Sequence, residues 1–209
     1  MNPIALLQNF FERRFAARAQ GIRDFLSRSA PDGFHALIEE HIKKSQTHRH
    51  NASRYLLDFS AARNSGRRMP HPEIYWETSF GFVLCAREGS AVIPIAAIGF
   101  EIRSNRLVVR QVQGVRGRKE HLRPLHWERL LYRVAISFGR ILGIETVHVL
   151  PARQSDYYPL GNPEVGCALS RKESIARAQR MHIVYDKESV RCGFKWCEGT
   201  QTFMFALLS

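Results

Sequence analysis

The sequence predicts a single α+β domain, in which helices pack on a mixed β-sheet. A chain of 209 residues is long enough for one ordinary hydrophobic core and short for two. Hydrophobic residues make up 44% and charged residues 24%, which is typical of soluble globular proteins and excludes a mostly disordered chain. Near Tyr75 the hydrophobic spacing changes from a helical period to runs rich in β-branched residues.

The N-terminal part carries two helical patterns, separated by the Pro-Asp-Gly sequence at residues 31–33. In each pattern, apolar residues recur at the 3.6-residue spacing of one helix face. A basic loop is predicted for 63–72. We therefore predict a helical extension with a basic loop over 1–72 and a second part, 73–209, that packs with it as one unit. The apolar positions are Ile4, Leu7, Phe11, Phe15 and Ala19, then Phe34, Leu37, Ile38 and Ile42.

Three β-rich runs follow, over residues 75–87, 92–103 and 107–113. Turn-forming residues at 88–90 and 104–105 separate them. Short connections between consecutive strands favour antiparallel pairing. The sequence therefore predicts a three-stranded antiparallel meander.

The C-terminal half alternates helices and strands. A helical pattern over 125–142 follows Pro124 and stops at Gly143, and a β-branched run over 146–150 comes next. A further helix is predicted from about 170 to 192, and a last strand over 202–208. Because a helix joins the run over 107–113 to the run over 146–150, we predict that these two strands are parallel neighbours.

The chain is strongly basic, with 31 Lys and Arg against 19 Asp and Glu and a net charge of +12. Ten of the basic residues and only two acidic ones fall within 103–140. Such a segment attracts phosphate, whether of a nucleotide cofactor, of nucleic acid or of an anionic membrane surface. The alternative interpretation is an ordinary solvated basic surface.

Cysteine and histidine spacing favours neither disulfides nor a bound metal. The four cysteines contain no CxxC motif, and the pair His48 and His50 lacks the further ligands that a metal needs. The N-terminus has no secretory pattern, and no apolar run approaches the roughly 18 residues of a membrane span. A cytoplasmic protein without a metal is expected.

The most informative motif is QVQGVRGR, residues 111–118, which follows a predicted strand and precedes a predicted helix. Gly114 and Gly117 allow the backbone to approach a ligand closely, and turns of this kind offer amides to phosphate. The motif is neither a P-loop nor a dinucleotide fingerprint, because it lacks the GKS or GKT sequence and a third glycine. A basic turn with glycines at positive φ is the alternative.

This order of elements and these residues together resemble the GNAT superfamily of acyl-CoA-dependent N-acyltransferases. In that superfamily a central strand runs into a glycine-containing loop that binds the pyrophosphate of acyl-CoA, and a helix follows. The resemblance extends to the YDK sequence at 185–187 ahead of the GF pair at 193–194. It implies a GNAT-like β-β-β-α-β-α-β fold, acetyl-CoA or a longer acyl-CoA as co-substrate, and an amine acceptor. The implied CoA-binding residues are Gln113, Gly114, Val115, Arg116, Gly117, Arg118 and Lys119.

Two features depart from the family pattern. The second glycine, Gly117, lies one position late, and residues 118–124 are predicted to separate it from the helix. Residues 113–117, 121–124, 142–144 and 185–186 also resemble a VirK-type family, whose biochemical role is obscure. A catalytically inactive GNAT-like protein and a basic binding protein therefore stand as alternatives to the enzyme.

The resemblance implies that Tyr185 protonates the departing CoA thiolate, a role that suits a phenol as general acid. A half-buried core tyrosine is the alternative. Candidate general bases are Glu77 and Glu101, on the first and second β-runs, although either residue also suits a solvent-facing strand position. His148, on an apolar strand, is predicted to be a core histidine with satisfied hydrogen bonds.

Overall fold

The computed structural model describes residues 3–30, 32, 34–44, 51–61, 71–162 and 169–207. Within these residues a seven-stranded mixed sheet carries helices, which confirms the predicted α+β class with two N-terminal helices. The helices are α1 (Pro3–Ser29), α2 (His35–Lys44), α3 (Lys119–Leu125), α4 (Trp127–Ile141), α5 (Arg171–Met181) and α6 (Glu188–Arg191), with a π-helical turn (His182–Lys187) between the last two. The strands are β1 (Tyr55–Ala61), β2 (Phe80–Glu88), β3 (Ala91–Arg103), β4 (Arg106–Gly114), β5 (Thr146–Val149), β6 (Lys195–Cys197) and β7 (Thr202–Ala206).

The strands lie in the order β1-β2-β3-β4-β5-β7-β6. Consecutive strands from β1 to β4 are antiparallel, β4 and β5 are parallel, and β7 is antiparallel to both β5 and β6. The predicted meander and the predicted parallel pair are therefore confirmed. Helices α3 and α4 form the connection that a parallel pair requires.

The sequence pattern does not predict β1 or β6. In β1, Asp58 and Ser60 interrupt the apolar residues, yet the strand pairs with β2 from Tyr55, opposite Ala86, to its last residue. Strand β6 has only three residues, too few for a period to show. The first predicted β-run also starts early, because β2 begins at Phe80 and the preceding residues form an irregular segment.

Two helices follow the glycine loop where the sequence predicts one. The helix predicted over 125–142 corresponds to α4, and the residues expected to separate it from Gly117 largely form the short helix α3, which starts at Lys119. Pro124 lies inside α3, next to its last residue. His126 then adopts a left-handed conformation with φ of 45°, and α4 begins at the next residue. The predicted separation between Gly117 and α4 is therefore present, but it is mostly helical.

The main core lies between one face of the sheet and the helices α1, α2 and α4. Phe82 of β2 packs against Phe138 of α4, with ring centroids 5.1 Å apart. Phe15 of α1 stacks on Phe80 at 5.3 Å, and Phe34, just before α2, contacts Phe82 edge-on at 5.4 Å. Both N-terminal helices thus share the core of the sheet. No helix within the described residues is both long and apolar enough to cross a membrane.

Candidate active site

Strands β4 and β5 separate partway along β4. Their pairing ends at Val109 opposite Val149, and the Leu150 N–H then donates to the Val109 carbonyl at 3.1 Å. The next residue, Arg110, is a β-bulge, because β3 pairs first with Val109 and then with Gln111. A bulge bends its strand and increases the local twist. Among the described residues, the rest of β4, to Gly114, therefore has β3 on one edge and no strand on the other.

Tyr185 takes the place of the missing strand. Its hydroxyl accepts the Val112 N–H at 3.0 Å and donates to the Arg110 carbonyl at 3.4 Å. The side chain comes from the π-helical turn, a distortion that occurs often at functional sites. Burial raises the pKa of the Tyr185 phenol, and the charge of Glu77 also raises it. The phenol therefore keeps its proton at neutral pH and can act as an acid.

A cavity of about 450 Å³ opens at this gap. It brings together Tyr185, Glu77 and Gln113, three of the residues predicted from the sequence. Glu101 does not line it, because its carboxylate accepts the Ser79 N–H at 2.7 Å beyond the cavity. The structure therefore brings one of the two candidate bases to the candidate acid.

Glu77 has the properties of a general base. It lies half-buried in the irregular segment before β2. Burial raises the pKa of its carboxyl from the ordinary 4.5 to about 7, the negative charge of Asp156 adds to the rise, and Arg110 opposes it. A carboxyl that titrates near neutral pH can take up a proton during a reaction and release it afterwards.

Gln111 holds the segment that carries Glu77. Its side chain is buried within β4, where Oε1 accepts the Glu77 N–H at 3.1 Å. Its Nε2 donates to the Tyr75 carbonyl and, at 3.1 Å, to Gln113 Oε1. The sequence places Gln111 in the loop motif but gives no sign of this role, because its contacts with Tyr75 and Glu77 join residues more than 30 positions apart.

The opposite wall of the cavity comes from residues that the sequence analysis missed. Tyr157 meets Tyr75 edge-on, with ring centroids 5.1 Å apart, and α5 contributes Arg177 and Met181. Among the described residues, no carboxylate pairs with Arg177. The cavity thus combines an acid, a base, aromatic rings and a cation. No short motif links these residues in the sequence.

The glycine loop continues from the open half of β4. Arg118 N–H donates to the Val115 carbonyl at 3.4 Å, which closes a turn with Gly117 at φ of 86°. Val115 is buried in a small cluster, and its N–H donates to the Ile95 carbonyl at 2.8 Å, so that amide is not available to a ligand. The side chains of Arg116 and Lys119 are exposed, and that of Arg118 is half-buried.

The histidines singled out in the sequence do not contribute to the part of the cavity that the structure describes. His148 is buried, and its ring nitrogens contact the hydroxyls of Thr202 at 2.8 Å and Thr146 at 3.1 Å, which confirms a core histidine with satisfied hydrogen bonds. His48 and His50 lie outside the described residues. His121 is buried beside the loop, and its Nε2 lies 2.7 Å from Glu88 Oε1, which ties α3 to the end of β2.

Comparison with protein-family models, with curated proteins and with solved structures found no match to this chain. Its chemistry must therefore be argued from its own geometry. That geometry offers an open strand edge, a buried phenol that stays protonated and a carboxyl with a pKa near 7. An acid and a base on the same cavity suit a group transfer in which one proton is removed and another is supplied.

Proposed function

We propose that the chain is a GNAT-like, acyl-CoA-dependent acyltransferase that transfers an acyl group to an amine. One observation carries the proposal: the parallel strands β4 and β5 separate at a bulge, and the gap holds Tyr185 and Glu77 on one cavity. The strand order and the helix that follows the glycine loop are compatible with it. The acceptor amine and the acyl chain length are left open.

In the proposed reaction, Glu77 removes a proton from the acceptor ammonium. The free amine attacks the thioester carbonyl, forming a tetrahedral intermediate, and the carbon–sulfur bond then breaks. Tyr185 gives its proton to the departing thiolate, and the attacking nitrogen loses its second proton to the Tyr185 phenolate, so the products are an amide and free CoA. The proton on Glu77 returns to solvent, which leaves both side chains as they began.

The open edge of β4 would bind the pantetheine arm of CoA. Successive N–H groups in an antiparallel strand point to alternate edges. Since the Val112 N–H faces Tyr185, the N–H of Gly114, two residues on, faces the same edge. The loop would then take the pyrophosphate through the Arg116 and Gly117 amides and the side chains of Arg118 and Lys119.

Isothermal titration with acetyl-CoA and longer acyl-CoAs tests binding directly. We expect saturable heat with a dissociation constant below about 0.1 mM, which corresponds to a binding free energy of roughly 5.5 kcal/mol.

Tyr185→Phe should lower turnover while leaving the affinity for acyl-CoA nearly unchanged, since a transition-state proton donor adds little to ground-state binding. Tyr132→Phe is the matched control, because Tyr132 is a buried tyrosine bonded to the Val184 carbonyl and does not line the cavity. Absence of heat with every acyl-CoA would contradict the proposal.

A basic binding protein for nucleic acid or an anionic membrane is the second candidate, because Arg116, Lys119 and Arg123 are exposed together. Such binding should weaken steeply with salt. It should also be lost in similar steps as these residues are neutralised one at a time. Acyl-CoA binding predicts instead that Arg123→Gln, farther from the glycines, has a smaller effect than Lys119→Gln.

A further inference from the structure

A second cavity, of about 600 Å³, lies where α2, α4 and α6 meet. It shares no lining residue with the first cavity. Its walls carry four permanently charged cations, two histidines and a cysteine. These residues are Lys44, Arg129, Arg133, Arg191, His41, His126 and Cys192.

A buried carboxylate holds two of the arginines in place. The carboxylate of Glu188 is largely buried, its Oε2 lies 2.5 Å from Arg129 Nε, and its Oε1 accepts from Arg191 Nη1. Burial would raise the pKa of Glu188, but hydrogen bonds from both arginines outweigh that effect and lower it. Glu188 is therefore charged, and it positions the two guanidinium groups before any ligand arrives.

Arg133 is fixed in a similar way on the other side of the cavity. Its Nη2 contacts Glu40 Oε1 at 2.8 Å, and its Nη1 donates to His41 Nδ1 at 3.4 Å. His41 can accept that bond because its Nε2 donates to the Leu125 carbonyl at 2.7 Å and because burial lowers its pKa, so the ring is neutral. Lys44 shares the same Glu40 oxygen at 2.6 Å.

The ion pairs leave both charge and donors unused. Four cations share the two carboxylates of Glu40 and Glu188, so these six side chains together keep a net charge of +2. Each guanidinium has five N–H donors, and each of these arginines uses only one or two of them in the described contacts. Positioned, partly unsatisfied arginines match the oxygens of a phosphate group.

We propose that this cavity binds a small molecule bearing a phosphate or diphosphate group. The site is concave, and its volume suits a compact ligand rather than an extended chain. Cys192 adds no competing nucleophile, because burial raises the pKa of its thiol to about 12. The site requires no acyl transfer and stands independently of the first cavity.

Titration of the full chain with inorganic pyrophosphate and with inorganic phosphate tests the site. Binding is measured by calorimetry and by the change in melting temperature. We expect saturable binding with a rise in melting temperature, and tighter binding of pyrophosphate. Arg191→Gln should weaken pyrophosphate binding about tenfold or more, the loss expected for one charged hydrogen bond. Lys44→Gln, at a more exposed position, is a second variant in case Arg191→Gln perturbs folding.

Arg171→Gln is the matched control, since it removes one exposed arginine that lies outside both cavities and outside the glycine loop. The proposal is overturned if pyrophosphate gives no saturable signal, or if Arg171→Gln weakens its binding as much as Arg191→Gln does. It is also overturned if the cavity variants reduce binding of a single-stranded oligonucleotide or of anionic vesicles while leaving pyrophosphate binding unchanged. In that case the cavity residues belong to a surface that binds nucleic acid or membranes.

Discussion

The two halves of β4 have the same strand conformation but different neighbours. Over 106–109 the strand is paired on both edges, by β3 and β5, and its inward residues are Leu107 and Val109. Over 110–114 the described part of the chain supplies β3 as the only neighbouring strand, and the side chains of Gln111 and Gln113 line a cavity. Backbone amides inside a protein need hydrogen-bond partners. Where the second strand is lost, a side chain from another element supplies the partner, and a reactive group comes with it.

The largest loss of stability should come from a substitution in the paired half of β4. Leu107→Ala removes a fully buried side chain and should lower the free energy of unfolding by about 2–5 kcal/mol. Gln113→Ala, in the open half, should change it by less than about 0.5 kcal/mol, since its side chain is half-exposed. Chemical denaturation of both variants measures the difference. Equal losses would mean that the open half is packed as tightly as the paired half.

Gly99→Ala should destabilise the junction between the two halves of β4. A Cβ at Gly99 would lie 2.3 Å from Thr78 Oγ1 and 3.0 Å from Gln111 Oε1, the atom that holds the Glu77 amide. We expect a loss of about 1–3 kcal/mol from overpacking, together with reduced activity. Gly21→Ala in α1, where nothing lies within 4 Å of the added carbon, should leave stability unchanged or raise it. If both variants behave alike, the junction is not tightly packed.

Tyr185→Phe tests the side chain that replaces the strand. The variant leaves the Val112 N–H without its acceptor, but the adjacent cavity admits water. We therefore expect a modest loss in the free energy of unfolding, of about 1 kcal/mol. Thermal and chemical denaturation measure it. A loss above about 3 kcal/mol would indicate that water does not reach the amide and that the edge is closed to ligands.

Glu77 should give the stability of the protein a pH dependence. Its pKa in the folded protein, about 7, is higher than the ordinary 4.5, so the folded state binds this proton more tightly. The contribution to stability is therefore present at low pH and declines as pH rises from about 4.5 to 7. Glu77→Gln should remove that decline relative to the wild type. Carboxyl titration by NMR should show a midpoint near 7, and a midpoint near 4.5 would contradict its assignment as the base.

The sequence predicts the paired half of β4 well and the open half poorly. Runs of β-branched residues separated by turn residues identify the meander, and the intervening helix predicts that β5 is parallel to β4. The bulge at Arg110 has no signature, because an arginine there is compatible with an uninterrupted strand. Helix α3 was missed for a different reason, since Pro124 indicates the start of the helix that follows, α4, but lies inside α3 itself.

The sequence predicted residues of the candidate site only where a motif or the resemblance to the GNAT superfamily pointed to them. Tyr185, Glu77 and Gln113 were found in that way and do share a cavity. Arg177 and Tyr157 were not, because their roles depend on how distant elements pack. The same holds for Glu188, which is a charged residue on a helix face in the sequence and becomes a buried anchor for two arginines only in the fold.

The π-helical turn restricts the number of residues that the chain can have between α5 and α6. The Glu188 N–H bonds to the Ile183 carbonyl, five residues back, so this turn holds one more residue than an α-helical turn. Residues three apart in an α-helix lie about 60° apart around the axis, which would bring Tyr185 and Glu188 towards one side. The wider turn lets Tyr185 face the first cavity while Glu188 contacts two arginines of the second. We therefore expect surface loops to tolerate insertions and deletions, whereas a single-residue deletion within 182–187 should misdirect one of these two side chains by about 100°.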